Sequence, residues 1–173
     1  MEPWPRLAEE IVYDGDRTIA RRHYRQPDGT ETTFDVTVQG SVVSVLAFDE
    51  SGKVVLARQF RPGPERVLLD LPSGYVEDDE DIASAAAREL AEETGYEGTL
   101  RQVGRTTPNA YSTEVRHIFV ATDCERRKET DTEDDEDIDV VLVTVDRLRE
   151  LLRSDELTVV DGAYLALDVL GLL

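Results

Sequence analysis

The stretch Gly74-Tyr-Val-Glu-Asp-Asp-Glu80-Asp-Ile-Ala-Ser-Ala-Ala-Ala-Arg88-Glu89-Leu-Ala-Glu92-Glu93-Thr-Gly95-Tyr96 decides how this chain is read. A glycine opens an acidic loop, alanines propagate a helix over roughly 81–94, and a second glycine stops it. At about 100° per residue, Glu93 lies about +40° and Glu92 about −60° from Glu89, so three carboxylates share an arc of about 100°. Ile82, Ala86 and Leu90 fall at about +20°, +60° and +100° on the same wheel. Glu89 and Glu93 therefore project on the side that should face the interior, where unpaired carboxylates are costly. A divalent cation offsets that cost, and oxygen donors of this kind suit Mg²⁺ or Mn²⁺. Arg88 and Glu92, spaced i, i+4, are able to pair and steady the cluster.

Helices rich in Ala, Arg, Glu and Leu are common, so composition alone also fits a solvated helix. The complete pattern Gly-x5-Glu-x7-Arg-Glu-Leu-x-Glu-Glu-x-Gly is more specific, and it resembles the Nudix box of the Nudix hydrolase family. Tyr96 stands where that family usually has an aliphatic residue. The resemblance implies a loop-helix-loop that holds Mg²⁺ against a pyrophosphate. By position it makes Glu89 and Glu93 metal ligands, with Glu92 a ligand or a close neighbour, and it makes Arg88 and Glu92 part of the catalytic machinery. It pairs Glu80 with Arg88, gives Gly74, Glu80 and Gly95 structural roles, and lets the backbone carbonyl of Ser73 complete the metal shell. The chemistry implied is metal-assisted hydrolysis of a phosphoanhydride, dominated by positioning and electrostatics.

Composition narrows the partners. A length of 173 residues suits one domain, expected here over residues 1–173. The net charge of −19 argues against nucleic acid or an anionic membrane as partner. No run reaches the length of a membrane span, and Met-Glu-Pro-Trp-Pro lacks the basic start and apolar centre of a signal peptide. We therefore expect a cytoplasmic location. Of the nineteen basic residues only Lys53 and Lys128 are lysine, which together with the excess of acid suggests a salt-adapted, halophilic protein. The one cysteine, Cys124, reads as a small hydrophobe near a strand end, and His117 as a strand residue; His23 and His117 lack the companions of a zinc site.

Strands are expected at 8–13 and 17–24 around Asp14-Gly15, then at 31–38 after the turn Gln26–Gly29. Ser41–Asp49 and Lys53–Gln59 read as a buried hairpin around Glu50-Ser51-Gly52. Residues 67–71 lead into the helix, strands follow near 99–106, 114–122 and 138–145, and helices near 146–153 and 161–172. This order fits an α/β fold, an α/β/α sandwich around a mixed central sheet, and the Nudix resemblance implies the same.

Outside the box, Ala57-Arg58-Gln59-Phe60-Arg61-Pro62 with Leu69-Asp70-Leu71-Pro72-Ser73-Gly74 resembles a stretch of the ADP-ribose pyrophosphatase subfamily, with Asp70 and Ser73 replacing the usual Glu and Ala. Arg58 and Arg61 are candidate clamps for phosphate or base, with Phe60 packed beneath them. The alternative is that both arginines answer carboxylates of this acidic chain. Thr107–Glu114 is similar to a further segment of that subfamily, although Tyr111, sixteen residues past Gly95, is more like dinucleoside-polyphosphate hydrolases. Glu129–Asp139 holds eight acidic residues in eleven. Most such runs are solvated loops, but its end resembles the segment that supplies a catalytic carboxylate in the subfamily. Glu136 is the candidate base, with Glu133 and Asp134 as substitutes. Trp4, Tyr13 and Tyr24 are candidates for adenine stacking, and the resemblance implies a homodimer formed through the strands of residues 1–40.

These observations lead us to expect a Mg²⁺-dependent hydrolase of ADP-ribose or a related nucleoside diphosphate sugar. A dinucleoside-polyphosphate or nucleoside triphosphate hydrolase is the alternative within catalysis. A non-catalytic nucleotide-sensing module is the alternative outside it.

Overall fold

The structure, a computed structural model, describes residues 1–127 and 137–173. Two compact units make up the chain: 1–40 with 107–115, and 41–106 with 116–173.

The first unit is an antiparallel meander of β1 (Arg6–Asp14), β2 (Thr18–Arg25) and β3 (Glu31–Val38). Its turns are the two anticipated from Asp14-Gly15 and from Gln26–Gly29, where Gly29 takes a left-handed φ of 89°. Ala20 and Val36 are its buried apolar residues, so cross-strand pairs carry much of the register. Arg21 grips Asp35 through two bonds of 2.9 and 3.1 Å, and Arg22 pairs with Glu9. Tyr111 and Thr113 bond to the backbone of Thr37 at 2.9 and 3.0 Å, which ties the segment 107–115 to β3. Trp4, Arg22, Tyr24, Phe34, Val36 and Tyr111 line a cavity of about 390 Å³ in this unit. Tyr13 is not among the lining residues; its ring lies over Gly15.

The second unit holds β4 (Ser41–Asp49), β5 (Val54–Arg61), β6 (Arg66–Asp70), β7 (Ser73–Tyr75), α1 (Ile82–Thr94), β8 (Tyr96–Thr106), β9 (Val115–Arg126), β10 (Asp139–Val143), α2 (Val145–Leu151) and α3 (Val160–Leu170). The strand order is β10-β5-β4-β9-β8, with β6 added to β5 and β7 to β4. Alternation on the central strands sorts their side chains into two cores. Val43, Val45, Val55, Phe119 and Ala121 pack with Ala85, Ala86 and Leu90 of α1. Leu46, Val54, Leu56, Ile118 and Val120 pack with Leu148 and Leu151 of α2 and Ala163 and Leu167 of α3. The sheet is thus covered on both faces, which is why its central strands read as continuous apolar runs.

Two differences from the expected elements bear on the site. The strand β7 was not anticipated, because Ser-Gly-Tyr has no alternation to read and exists through its pairing with β4. Strand β8 starts at Tyr96, immediately after the helix stop, because the ring is buried in the core beneath α1.

Candidate active site

The helix α1 starts where Asp81 accepts from the backbone N–H groups of Ala83 and Ser84 at 3.1 and 3.2 Å. It ends at Gly95, whose left-handed φ of 73° lets its N–H reach the Ala91 carbonyl at 2.8 Å. Between these caps Arg88 uses every donor of its fork. Nε and Nη2 reach the two oxygens of Glu80 at 3.0 Å each. Nη1 reaches Glu89 Oε1 at 2.7 Å and Glu92 Oε2 at 3.0 Å, and Nη2 also reaches the Tyr75 carbonyl at 2.9 Å. One guanidinium therefore fastens the acidic loop, the helix and β7 together. Its own proton is held more firmly than usual, chiefly by Glu80, while Arg88 holds the Glu80 carboxyl below the ordinary carboxylate range.

Glu93 is buried, as its place on the apolar side required. Its Oε2 accepts the backbone N–H of Ser73 at 3.1 Å. Glu89 is largely buried and lies against Gly74, where an added Cβ would stand 2.1 Å from Oε1. Glu92 is the most exposed of the three. Thus Ser73, Gly74, Glu80, Arg88, Glu89, Glu92, Glu93 and Gly95 form one connected unit.

Among the described residues no three carboxylates, imidazoles or thiols stand in a metal-ligand arrangement. Arg88 draws Glu89 and Glu92 to itself, and the Ser73 amide holds Glu93. The donor set nevertheless suits a hard divalent cation: it is all oxygen, largely shielded from water, and the glycine at 74 leaves room for a carboxylate against the backbone.

The substrate-clamp residues separate. On β5, Arg58 and Phe60 share one face and Arg61 takes the other, so Phe60 does not underlie both arginines as expected. Arg58 meets Asp139 at 2.5 Å across the β5–β10 pair. Arg61 pairs with Asp70, which is only 3% exposed. The alternative in which these arginines answer nearby carboxylates is therefore realised for both. Phe60 is exposed. Glu133, Asp134 and Glu136 lie outside the described residues. The sequence did not single out Asp70 and Asp139 as arginine partners or the Ser73 N–H as a donor. Cross-strand register supplies Asp139 opposite Arg58, the reach of Arg61 along the β5–β6 pair supplies Asp70, and chain reversal between β7 and α1 supplies the Ser73 N–H. His117 lies in β9 beside Gln102 at 3.0 Å, and Cys124 is buried near the end of the same strand.

A carboxylate-bearing helix wired through one arginine, set on a sheet covered on both faces, defines a scaffold for metal-assisted phosphoanhydride chemistry. Comparison with known proteins names it: the NUDIX domain model matches residues 38–161, and the chain belongs to that family. The ADP-ribose pyrophosphatase of Bacillus subtilis (strain 168) is 31% identical over 166 residues, covering 91% of this chain and 88% of that one. The ADP-sugar pyrophosphatase of Mus musculus is 47% identical over 107 residues, covering 55% of this chain and 49% of that one. A solved structure described as an ADP compounds hydrolase superposes with a TM-score of 0.83 at 19% identity, covering 100% of this chain and 98% of that one, which shows the same fold.

Proposed function

We propose that this protein hydrolyses the pyrophosphate bond of ADP-ribose or a related nucleoside diphosphate sugar, giving AMP or another nucleoside monophosphate and a sugar phosphate. The observation that carries this is the buried Glu93 carboxylate, fixed by the Ser73 amide inside the unit that Arg88 ties together. The pyrophosphatase names of the two relatives direct the choice of substrate.

A divalent ion, Mg²⁺ with Mn²⁺ as its substitute, offsets phosphate charge and acidifies water when bound. Glu89, Glu93, Glu92 and the carbonyl of Ser73 would hold it. Arg88 and Glu80 keep the helix and loop in register, while Glu89 and Glu92 would exchange part of their hold on Arg88 for the ion. Glu92 and Glu136 are the proposed catalytic carboxylates, with Glu136 accepting the proton of the attacking water and Glu133 or Asp134 as substitutes. Arg58 and Phe60, side by side on an open strand face, are the proposed substrate contacts. Arg61 is held by the buried Asp70.

The aromatic cavity of the N-terminal sheet offers Tyr24, Phe34 and Tyr111 for stacking a base. Strand β1 is exposed along its whole length, with Leu7, Ile11, Val12 and Tyr13 open to solvent, which supports homodimer formation through that edge. Acidity and scarce lysine support a cytoplasmic, salt-adapted protein, and among the described residues no helix is long and apolar enough to cross a membrane.

The test is product release from ADP-ribose, other nucleoside diphosphate sugars, diadenosine polyphosphates and nucleoside triphosphates, with Mg²⁺ at low and high salt. AMP formed preferentially from ADP-ribose, and lost in Glu93→Gln, is the expected result. Preferred cleavage of a polyphosphate, for which Tyr111 is the signal, would replace the substrate. Tight nucleotide binding without turnover would make the protein a sensor.

A further inference from the structure

Residues 70–74 join a buried ion pair to the carboxylate cluster. Asp70 is 3% exposed, and its carboxylate takes the guanidinium of Arg61, whose side chain is 32% exposed. The pair spans β5 and β6, where Asp70 stands opposite Ala57 and Arg61 opposite Arg66. Burial alone would drive the Asp70 carboxyl towards its neutral form, and Arg61 is the main group opposing that. Two residues further on, the Pro72 carbonyl accepts the Val45 N–H at 2.9 Å, and Ser73 pairs with Ser44 of β4. The Ser73 N–H then reaches Glu93 Oε2 at 3.1 Å, and Gly74 lies against the Glu89 carboxylate. The segment is fastened at one end by the ion pair and at the other by β4, with the carboxylates of Glu93 and Glu89 resting on it.

We infer that Asp70 is a positioning residue: held by Arg61, it sets where the Ser73 amide and the Gly74 backbone stand, and through them the poses of Glu93 and Glu89 towards a divalent cation. The inference rests on the functional reading above for the identity of that cation site. It gives Arg61 a different task from the phosphate clamp expected from sequence. A clamp acts on substrate affinity, whereas an anchor beneath the cluster acts on metal affinity.

The experiment titrates Mn²⁺ into Asp70→Asn, Arg61→Gln and wild-type protein without substrate, following free Mn²⁺ by electron paramagnetic resonance. KM for ADP-ribose at saturating Mg²⁺ is measured beside it. Both variants are expected to bind Mn²⁺ about 10-fold more weakly, the scale on which groups that orient metal ligands act, with KM within about twofold. Unchanged Mn²⁺ affinity in either folded variant overturns the inference. A raised KM with unchanged Mn²⁺ affinity overturns it in favour of a substrate clamp. Loss of folding in both variants overturns it in favour of a purely structural pair. A wild type that binds Mn²⁺ but does not cleave ADP-ribose would sink the substrate reading and leave this measurement valid.

Discussion

The backbone N–H of Ser73 donates to Glu93 Oε2 at 3.1 Å, joining residues twenty positions apart. That bond turns a carboxylate on the inward side of a helix into a fixed and partly satisfied group, since a buried charge needs both a partner and hydrogen bonds. Glu93→Gln keeps the shape but removes the charge. We expect metal-dependent turnover to fall by more than about 100-fold, beyond the loss typical of groups that only orient ligands. Steady-state kinetics with circular dichroism as a folding control would check it.

At Gly74 the constraint is steric. A methyl group there would stand 2.1 Å from Glu89 Oε1, and the neighbouring atoms of the same carboxylate are 2.2 and 2.4 Å away. Gly74→Ala should push Glu89 aside at a cost of about 1–3 kcal/mol. Activity should fall more than the melting temperature suggests. A variant as active as wild type would show that Glu89 has room to move.

Arg88→Lys keeps the charge and gives up the fork. A lysine ammonium is unable to serve Glu80 through two parallel bonds while also reaching Glu89, Glu92 and the Tyr75 carbonyl, all of which Arg88 does. Turnover is expected to drop by about 10- to 100-fold, with weaker Mg²⁺ activation. An activation curve that overlays on wild type would refute the wiring role.

Acid should act on the same unit. The Glu80 carboxyl is held below its ordinary range by Arg88, so the folded state binds fewer protons than the unfolded one near that carboxyl's normal pKa. Its stabilisation is present above the unfolded pKa and is lost as pH falls through the lower folded pKa. The melting-temperature gap between wild type and Glu80→Gln should therefore be full above the unfolded carboxyl pKa of about 4.3 and shrink as pH falls through the lower folded value. A gap that persists at the acid end would assign the effect to packing.

Burial pushes the Cys124 thiol up to about 11. Almost no thiolate exists near neutral pH, so the folded protein should resist an aromatic disulfide reagent and react once denaturant is added. Rapid labelling of the folded chain would place Cys124 at an opening segment.

How much of this was legible varies with the kind of signal. The helix and its two stops could be read because caps, alanine content and the 3.6-residue period are local. The continuous apolar runs of β4 and β5 gave away a sheet covered on both faces. The strand β7 escaped, since three residues with a glycine at the centre exist through a partner strand alone. The pairing of Arg88 with Glu92 followed from i, i+4 spacing. The partners of Arg58 and Arg61 did not follow from spacing. Asp139 is eighty-one positions from Arg58, and in so acidic a chain many carboxylates compete.

The class of chemistry follows from a local pattern: carboxylates and one arginine repeat along a capped helix, which backbone geometry converts directly into a cluster. Which groups hold that cluster still depends on contacts between segments far apart in the chain. The Ser73 amide beneath Glu93, the space at Gly74 for Glu89 and the buried Asp70 beneath Arg61 all depend on how β5, β6 and β7 pair. Strand register is set by packing across the sheet, and a shift of one residue would turn Arg61 and Asp70 to the opposite face and carry the Ser73 amide away from Glu93.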